Sequence, residues 1–236
     1  MKITKTKIAI LAVLAMFLLS TSALAIYQFR PAKRLHRHLV KARISSNAQQ
    51  YGNAVIEYDR ALEIDPQNEL ALVESGYARL NLEQPDRAIQ QFERCIRFQP
   101  GHQGAWMGMV RAKLVLKDID GASQACDKLL SIRRDHNSLL AYMDVSAARQ
   151  AYGEAVKAAH AAIAAAPDEY EPVRRSVDLF RQIKQESEAR EVLESYVKRP
   201  AAKERQRALV TLADIYSREE RFSEALELLE KAVEIK

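Results

Sequence analysis

The sequence predicts an all-α protein built from about six consecutive helix-turn-helix repeats. The stretch YGNAVIEYDRALEIDP places Ala54, Tyr58 and Ala61 at i, i+4 and i+7 on one face of a helix, which Pro66 would end. The stretch PDRAIQQFERCIRFQP, 34 residues later, has small or apolar residues and a proline at the same places. Only seven glycines and seven prolines occur in 236 residues, which favours helix throughout.

The repeat continues along the chain at a nearly constant spacing. The inward-facing alanines of successive second helices are Ala54, Ala88, Ala122, Ala155, Ala189 and Ala225. The gaps between them are 34, 34, 33, 34 and 36 residues, which indicates a stacked array. An N-terminal segment, residues 1–30, would precede an array at residues 31–236. The approximate units are 35–68, 69–102, 103–135, 136–169, 170–205 and 206–236.

These positions resemble the tetratricopeptide repeat, a helix-turn-helix unit of 34 residues with this pattern of small, aromatic and proline positions. Trp106 fills the aromatic position of the third unit, and Gly76 and Ala42 fill the small position where two helices cross. The resemblance covers about residues 35–236. It implies a right-handed α-solenoid and a non-enzymatic protein that binds other proteins or peptides in a concave groove lined by the first helices.

Carrying the family pattern over residue by residue gives the expected groove positions. The equivalent first-helix positions are Arg43, Tyr77, Arg111, Asp144, Asp178 and Asp214. Neighbouring exposed turns would add Arg174, Arg181 and Arg218. Solvated charge on a helix face is the alternative explanation for any one of these residues. Where some family members have lysines that clamp a terminal carboxylate, this chain has Leu39, Val73 and Met107, so we do not expect that binding mode.

The sequence gives no indication of catalysis, a cofactor or a metal. No glycine-rich phosphate loop occurs. His36 and His38 would point apart on a helix and have no cysteine or carboxylate nearby. Cys95 and Cys126 fall at inward positions, where we expect small buried side chains, and whether they form a disulfide stays open. We therefore expect no enzyme activity, no catalytic residues, no metal and no cofactor.

The N-terminus carries an apolar segment that allows two interpretations. Lys2, Lys5 and Lys7 precede the unbroken apolar run Ile8–Leu19. As a membrane anchor, residues 8–27 supply the ~20 residues that a bilayer requires. Tyr27, Phe29 and Arg30 would then lie at the interface. As a signal peptide, the same segment ends in the cleavage motif formed by Ala23 and Ala25.

A dense run of bases follows the apolar segment and bears on this choice. Its members are Arg30, Lys33, Arg34, Arg37, Lys41 and Arg43. They would oppose translocation and so favour an uncleaved anchor. Residues 1–56 hold nine bases and no acid, which leaves 27 bases against 31 acids in the rest of the chain. This distribution suits an anionic membrane surface, and we do not expect nucleic acid as a partner.

The resulting expectation is a single-pass protein of the bacterial cytoplasmic membrane, with the side that the array faces left open. The alternative is a periplasmic subunit of an envelope polysaccharide or lipoprotein export or assembly system, made with a cleaved signal peptide.

The last predicted helix has apolar residues on two sides. They are Ala225, Leu229 and Ala232 on one side and Leu226, Val233 and Ile235 on the other. Unit six reaches Lys236 without the polar capping helix that such arrays need. Either the chain continues, or the open face binds a partner or a second copy.

Overall fold

The computed structural model of the protein describes residues 31–235, and all regular secondary structure in that range is α-helical. Helix α1 is described from residue 31 and ends at residue 47. The next helices are α2 (Tyr51–Ile64), α3 (Glu69–Asn81), α4 (Pro85–Phe98), α5 (Gln103–Val115) and α6 (Ile119–Ile132). The last six are α7 (His136–Ala148), α8 (Tyr152–Ala165), α9 (Tyr170–Gln182), α10 (Glu186–Val197), α11 (Arg205–Arg218) and α12 (Phe222–Glu234). The predicted all-α class is confirmed, with six helix-turn-helix pairs in the described range.

The helices fall into two compact units. The first unit ends at Pro100 and contains α1 to α4, and the second begins at Gly101 and contains α5 to α12. In the second unit each first helix packs against its own second helix, and α7 and α9 also contact the first helices before and after them. The first helices α5, α7, α9 and α11 therefore lie side by side.

The core of the first unit is organised around Phe92 of α4, which is fully buried. Its ring lies against Gly76 of α3, where an added Cβ would overlap the ring atom Cε1. The ring of Tyr77 packs edge-on against Phe92, with 5.4 Å between centroids. The glycine thus sets how closely the two helices approach.

The core of the second unit includes Phe180, Leu193 and Tyr196, all buried. The Tyr196 hydroxyl lies 2.9 Å from the carbonyl oxygen of Asp168 and 2.5 Å from that of Lys203, so it links α10 to the segments before α9 and before α11. Burial raises the pKa of Tyr196 to about 12. The phenol therefore stays protonated at neutral pH, and its single O–H can be shared between these two carbonyl oxygens.

Every first helix ends in the same turn, which the sequence analysis did not predict. The turns place Gln49, Glu83, Lys117, Gln150, Lys184 and Glu220 in the left-handed region, with φ between 57° and 62°. In the turn after α3, the Glu83 amide donates to the Leu80 carbonyl and the Gln84 amide to the Arg79 carbonyl. These two bonds form a Schellman motif, which usually has glycine at the left-handed position. Because none of the six residues is a glycine, composition gave no signal for the turn.

The start of α7 is stabilised by a capping box. The Asp135 carboxylate accepts a hydrogen bond from the Ser138 amide, and the Ser138 hydroxyl accepts one from the Asp135 amide. Gln103 donates a further hydrogen bond to the Asp135 carboxylate, at 2.7 Å. Burial alone would raise the pKa of Asp135, but the bonds from Gln103 and Ser138 hold it below its usual range.

We expect Asp135→Ala to lower the free energy of unfolding by about 1–2 kcal/mol at pH 7, because the first turn of α7 loses its cap. Since the folded-state pKa is lowered, this contribution is present above the unfolded pKa and is lost as the pH falls through the folded pKa. Urea unfolding at pH 7 and pH 3 measures both effects. Asp127→Ala, at an exposed site on α6, is the control. An equal cost of Asp135→Ala at the two pH values would contradict this account.

The predictions for the anchor, the signal peptide and its cleavage site fall in residues 1–30, which lie outside the described residues. Among the helices of residues 31–235, none combines the length and the apolar character needed to cross a membrane.

Candidate partner-binding site

Two adjoining depressions lie on the first helices of the second unit. One, of about 250 Å³, lies between α7 and α9, and the other, of about 540 Å³, lies between α9 and α11. Arg174 and Asp178 line both of them. We call the surface formed by α7, α9 and α11 the first-helix face.

An ion pair joins α7 to α9 on this face. Arg175 of α9 donates a hydrogen bond to the Asp144 carboxylate of α7. Burial raises the pKa of Asp144, while the charges of Arg175 and Arg111 act in the opposite direction. Arg111 of α5 is exposed, but its positive charge still acts to lower the pKa of Asp144.

A second ion pair joins α9 to α11. The Arg181 Nη2 atom lies 2.7 Å from the Asp214 carboxylate, and the Arg218 Nε atom lies 3.2 Å from it. Burial on its own would raise the pKa of Asp214, but the two arginines hold it below its usual range. Exposed pairs of this kind contribute little stability, so we assign them mainly an orienting role.

The Arg174 guanidinium is held between two carboxylates of its own helix. It lies 2.8 Å from a Glu171 oxygen and 3.1 Å from an Asp178 oxygen. Its side chain is still half exposed. These bonds use three of the five N–H groups of the guanidinium, so a partner's carbonyl oxygen can accept from the other two at a reduced entropy cost.

The depression between α9 and α11 combines apolar and charged surface. Val210 is 48% exposed, and the Tyr170 hydroxyl lies 2.7 Å from the Thr211 hydroxyl oxygen beside it. Arg207 is largely exposed, and its guanidinium pairs with Glu204, three residues earlier on the chain. Apolar contact area beside oriented polar groups is the composition of a protein-binding surface.

The structure places most of the predicted groove residues together. Those on the first-helix face are Asp144, Arg174, Asp178, Arg181, Asp214 and Arg218. Arg111 lies on the neighbouring helix α5, whereas Arg43 and Tyr77 belong to α1 and α3 of the first unit. Their role in partner binding stays a prediction.

Arg175, Arg207 and Val210 were not among the groove residues predicted from the sequence. Val210 lies four residues before Asp214, and Arg174 lies four residues before Asp178, so the two residues are equivalent in successive repeats. Extending the predicted groove positions by one helical turn toward the N-terminus would therefore have included Val210. Arg175 gave no such signal, because its role depends on how α9 sits beside α7.

The cysteines offer no reactive thiol. Cys95 and Cys126 are free and buried, as their inward positions predict. Burial raises the pKa of the Cys95 thiol to about 11 and that of the Cys126 thiol to about 12. Neither is therefore a thiolate at neutral pH.

We expect both thiols of the folded protein to react with a thiol reagent at pH 8 at least about a hundredfold more slowly than in 6 M guanidinium, because the thiolate is the reactive form. The absorbance of a chromogenic disulfide reagent measures this rate. Two thiols titrating rapidly in the native protein would contradict the burial.

Helix α12 exposes several large apolar side chains. Phe222 is 64% exposed, Leu226 58% and Val233 81%. Self-association through this helix stays a prediction.

Comparison with known proteins places the repeats in a family. Models described as tetratricopeptide repeat match residues 79–143 and residues 36–68 and 206–236, which together exceed half of the chain. A search of curated protein sequences finds no match.

Solved structures with the same fold include three that are similar over most of their length. A tetratricopeptide repeat protein from Parabacteroides merdae has a TM-score of 0.65 and 18% identity, covering 84% of this chain and 77% of that one. PilW, described as a widely conserved type IV pilus biogenesis factor, has a TM-score of 0.63 and 19% identity, covering 82% and 90%. The pilF protein of Pseudomonas aeruginosa has a TM-score of 0.62 and 12% identity, covering 84% and 90%.

At such identities the similarity shows the fold alone, and the sequence matches carry the assignment. With both in agreement, the chain belongs to the tetratricopeptide repeat family.

Proposed function

We propose that this protein is a non-enzymatic scaffold that binds a segment of a partner protein on the first-helix face while residues 1–30 tether it to the bacterial cytoplasmic membrane. Membership of the tetratricopeptide repeat family supports a protein-protein interaction scaffold in general. Two adjoining depressions that share Arg174 and Asp178 support this location of the site.

A partner segment lying across α9 and α11 would meet groups that are already oriented. Arg174 offers a fixed guanidinium, and Val210 offers exposed apolar surface that binding would remove from water. Because the ion pairs within the face hold the arginines in place, little side-chain entropy remains to be lost on binding.

The tether would add affinity without adding contacts. The apolar run Ile8–Leu19 and the bases on both sides of it support membrane attachment. Attachment confines the array to the membrane surface, so partners in the same membrane meet it at a raised effective concentration. Weak contacts on the first-helix face then suffice for capture.

A paired variant tests the face without removing an inter-helix ion pair. Arg207 and Val210 are exposed, and the pair of Arg207 with Glu204 is local, so Arg207→Glu with Val210→Asp should leave the fold intact. We expect recovery of the partner from detergent-solubilised membranes to fall by about tenfold, the effect of losing about 1.4 kcal/mol of binding energy. Quantitative mass spectrometry of affinity-purified complexes measures the recovery.

The matched control changes the same residue types on a second helix. Lys128→Glu with Ile132→Asp alters an exposed base and an exposed aliphatic side chain of α6. This variant should retain the partner, and circular dichroism should show equal helicity for both variants. Equal recovery by the face variant and the control would refute the assignment of the face.

The tether has a separate test. A variant that lacks residues 1–30 should move from the membrane fraction to the soluble fraction, because it loses the apolar run. If the shortened protein still sediments with membranes after a wash in high salt, residues 1–30 are not the tether.

A second candidate function is an exported subunit of an envelope assembly system. The motif formed by Ala23 and Ala25 after the apolar run favours it. Intact mass spectrometry of the protein from its native host discriminates between the two candidates. A chain that begins at Ile26 would support export with cleavage, whereas a chain that retains residues 1–30 would support the anchor.

A further inference from the structure

Helix α1 presents a face to solvent that combines bases with apolar side chains. At 100° per residue, Lys33, Arg37, Val40, Lys41 and Ile44 fall within a sector of about 100°. The three bases are exposed, and Val40 and Ile44 are 39% and 63% exposed. The opposite side of the helix, with the fully buried Ala42, packs into the first unit.

Helix α2 extends this surface. A shallow depression of about 450 Å³ between α1 and α2 is lined by Lys41, Ile44 and Arg60, together with Ile56, which is 51% exposed. We call the surface formed by Lys33, Arg37, Val40, Lys41, Ile44 and Ile56 the basic face.

One carboxylate, Glu57, lines the same depression and offsets part of its positive charge. Its two oxygens lie 2.7 Å from His38 Nδ1 and 2.6 Å from Arg60 Nη1. The hydrogen bond with His38 lowers the pKa of Glu57. The bases Lys33, Arg37, Lys41 and Arg60 outnumber this one acid, so the surface keeps a net positive charge.

We infer that the basic face of the first repeat lies against anionic lipid headgroups, with Val40, Ile44 and Ile56 inserted at the headgroup boundary. Bases interleaved with exposed aliphatic residues are the features that bind an anionic bilayer surface. This inference rests on the proposed membrane tether, because an anchor at residues 8–27 leaves only residues 28–30 before Pro31. A segment of that length keeps the start of α1 within about 14 Å of the bilayer.

Two other anionic partners fit the face less well. Nucleic acid would use the bases for phosphate contacts but would leave three aliphatic side chains without a role, and no aromatic side chain of the face could stack on bases. An acidic protein would match the charge but would have to reach α1 by diffusion, whereas the proposed tether holds the bilayer surface beside α1.

Full-length protein with a fluorescent probe at Ile44→Cys tests this contact. The two native cysteines are buried, so labelling is selective for the added thiol. The labelled protein is reconstituted into vesicles of phosphatidylcholine alone or with phosphatidylglycerol, each with a nitroxide-labelled lipid as quencher. The matched control carries the probe at Glu93→Cys, an exposed position on α4 of the same unit.

We expect at least threefold more quenching at residue 44 than at residue 93 in the anionic vesicles. The excess should disappear in phosphatidylcholine alone, in high salt, or when Lys33, Arg37 and Lys41 are replaced by glutamine, because each change removes the electrostatic attraction. Circular dichroism should show unchanged helicity of the triple variant.

Equal quenching at the two positions in anionic vesicles would overturn the inference. So would tighter binding of the labelled chain to a short DNA duplex than to the vesicles, with the triple variant losing that binding. Failure of the tether gives a different result, namely protein that leaves the vesicles in high salt. The two failures can therefore be distinguished in one preparation.

Discussion

Replacing Phe92 by alanine is expected to lower the free energy of unfolding by about 3–5 kcal/mol. The ring is fully buried between α3 and α4, and its removal leaves a cavity that two packed helices cannot close. Urea unfolding followed by circular dichroism measures the loss.

The same helix offers a matched control for this substitution. Phe98 closes α4 and is 48% exposed, so Phe98→Ala should change the stability by no more than about 0.5 kcal/mol. If the two substitutions cost the same, Phe92 is not the centre of the core of the first unit.

The second large effect is expected at Gly76, where the stability change caused by Gly76→Ala should change sign when Phe92 is replaced by alanine. Alanine is the better helix former by about 1 kcal/mol. In the native core, however, its Cβ would overlap the Phe92 ring, which is fully buried and cannot give way cheaply. We therefore expect Gly76→Ala to destabilise the protein by about 1–3 kcal/mol.

In the Phe92→Ala background the overlap is gone, and Gly76→Ala should instead stabilise the protein by up to about 1 kcal/mol. Gly52, on α2 of the same unit, has no atom within 4 Å of an added Cβ and is the control. Gly52→Ala should be stabilising in both backgrounds. A Gly76→Ala effect that keeps its sign in both backgrounds would show that contact with Phe92 does not set the need for glycine.

The periodic part of the fold could be predicted from sequence because it is local. The inward alanines from Ala54 to Ala189 are fully buried, and Ala225 is 6% exposed. Spacing alone identified these positions, since one face of each second helix must pack in every repeat. Gly76 was also placed correctly at a helix crossing.

The non-periodic features could not be predicted from sequence. The pairs Asp144–Arg175 and Arg181–Asp214 join residues 31 and 33 positions apart, and they form only at the register with which neighbouring first helices pack. The left-handed turns were also missed, because residues such as Lys117 carry no glycine signal. The sequence therefore predicted which positions form the candidate site, whereas the ion pairs between its helices could be identified only from the structure.

Site-specific photo-crosslinking tests most directly whether a partner segment lies on the first-helix face. A photoreactive benzoylphenylalanine is placed at Val210 on α11 or, as the control, at the exposed Lys157 on α8, and cells are irradiated with the protein in place. We predict a discrete heterologous adduct from position 210, none from position 157, and loss of the adduct when Arg207→Glu is added. An adduct from position 157 without one from position 210, or an adduct at 210 that persists with Arg207→Glu, would contradict the account.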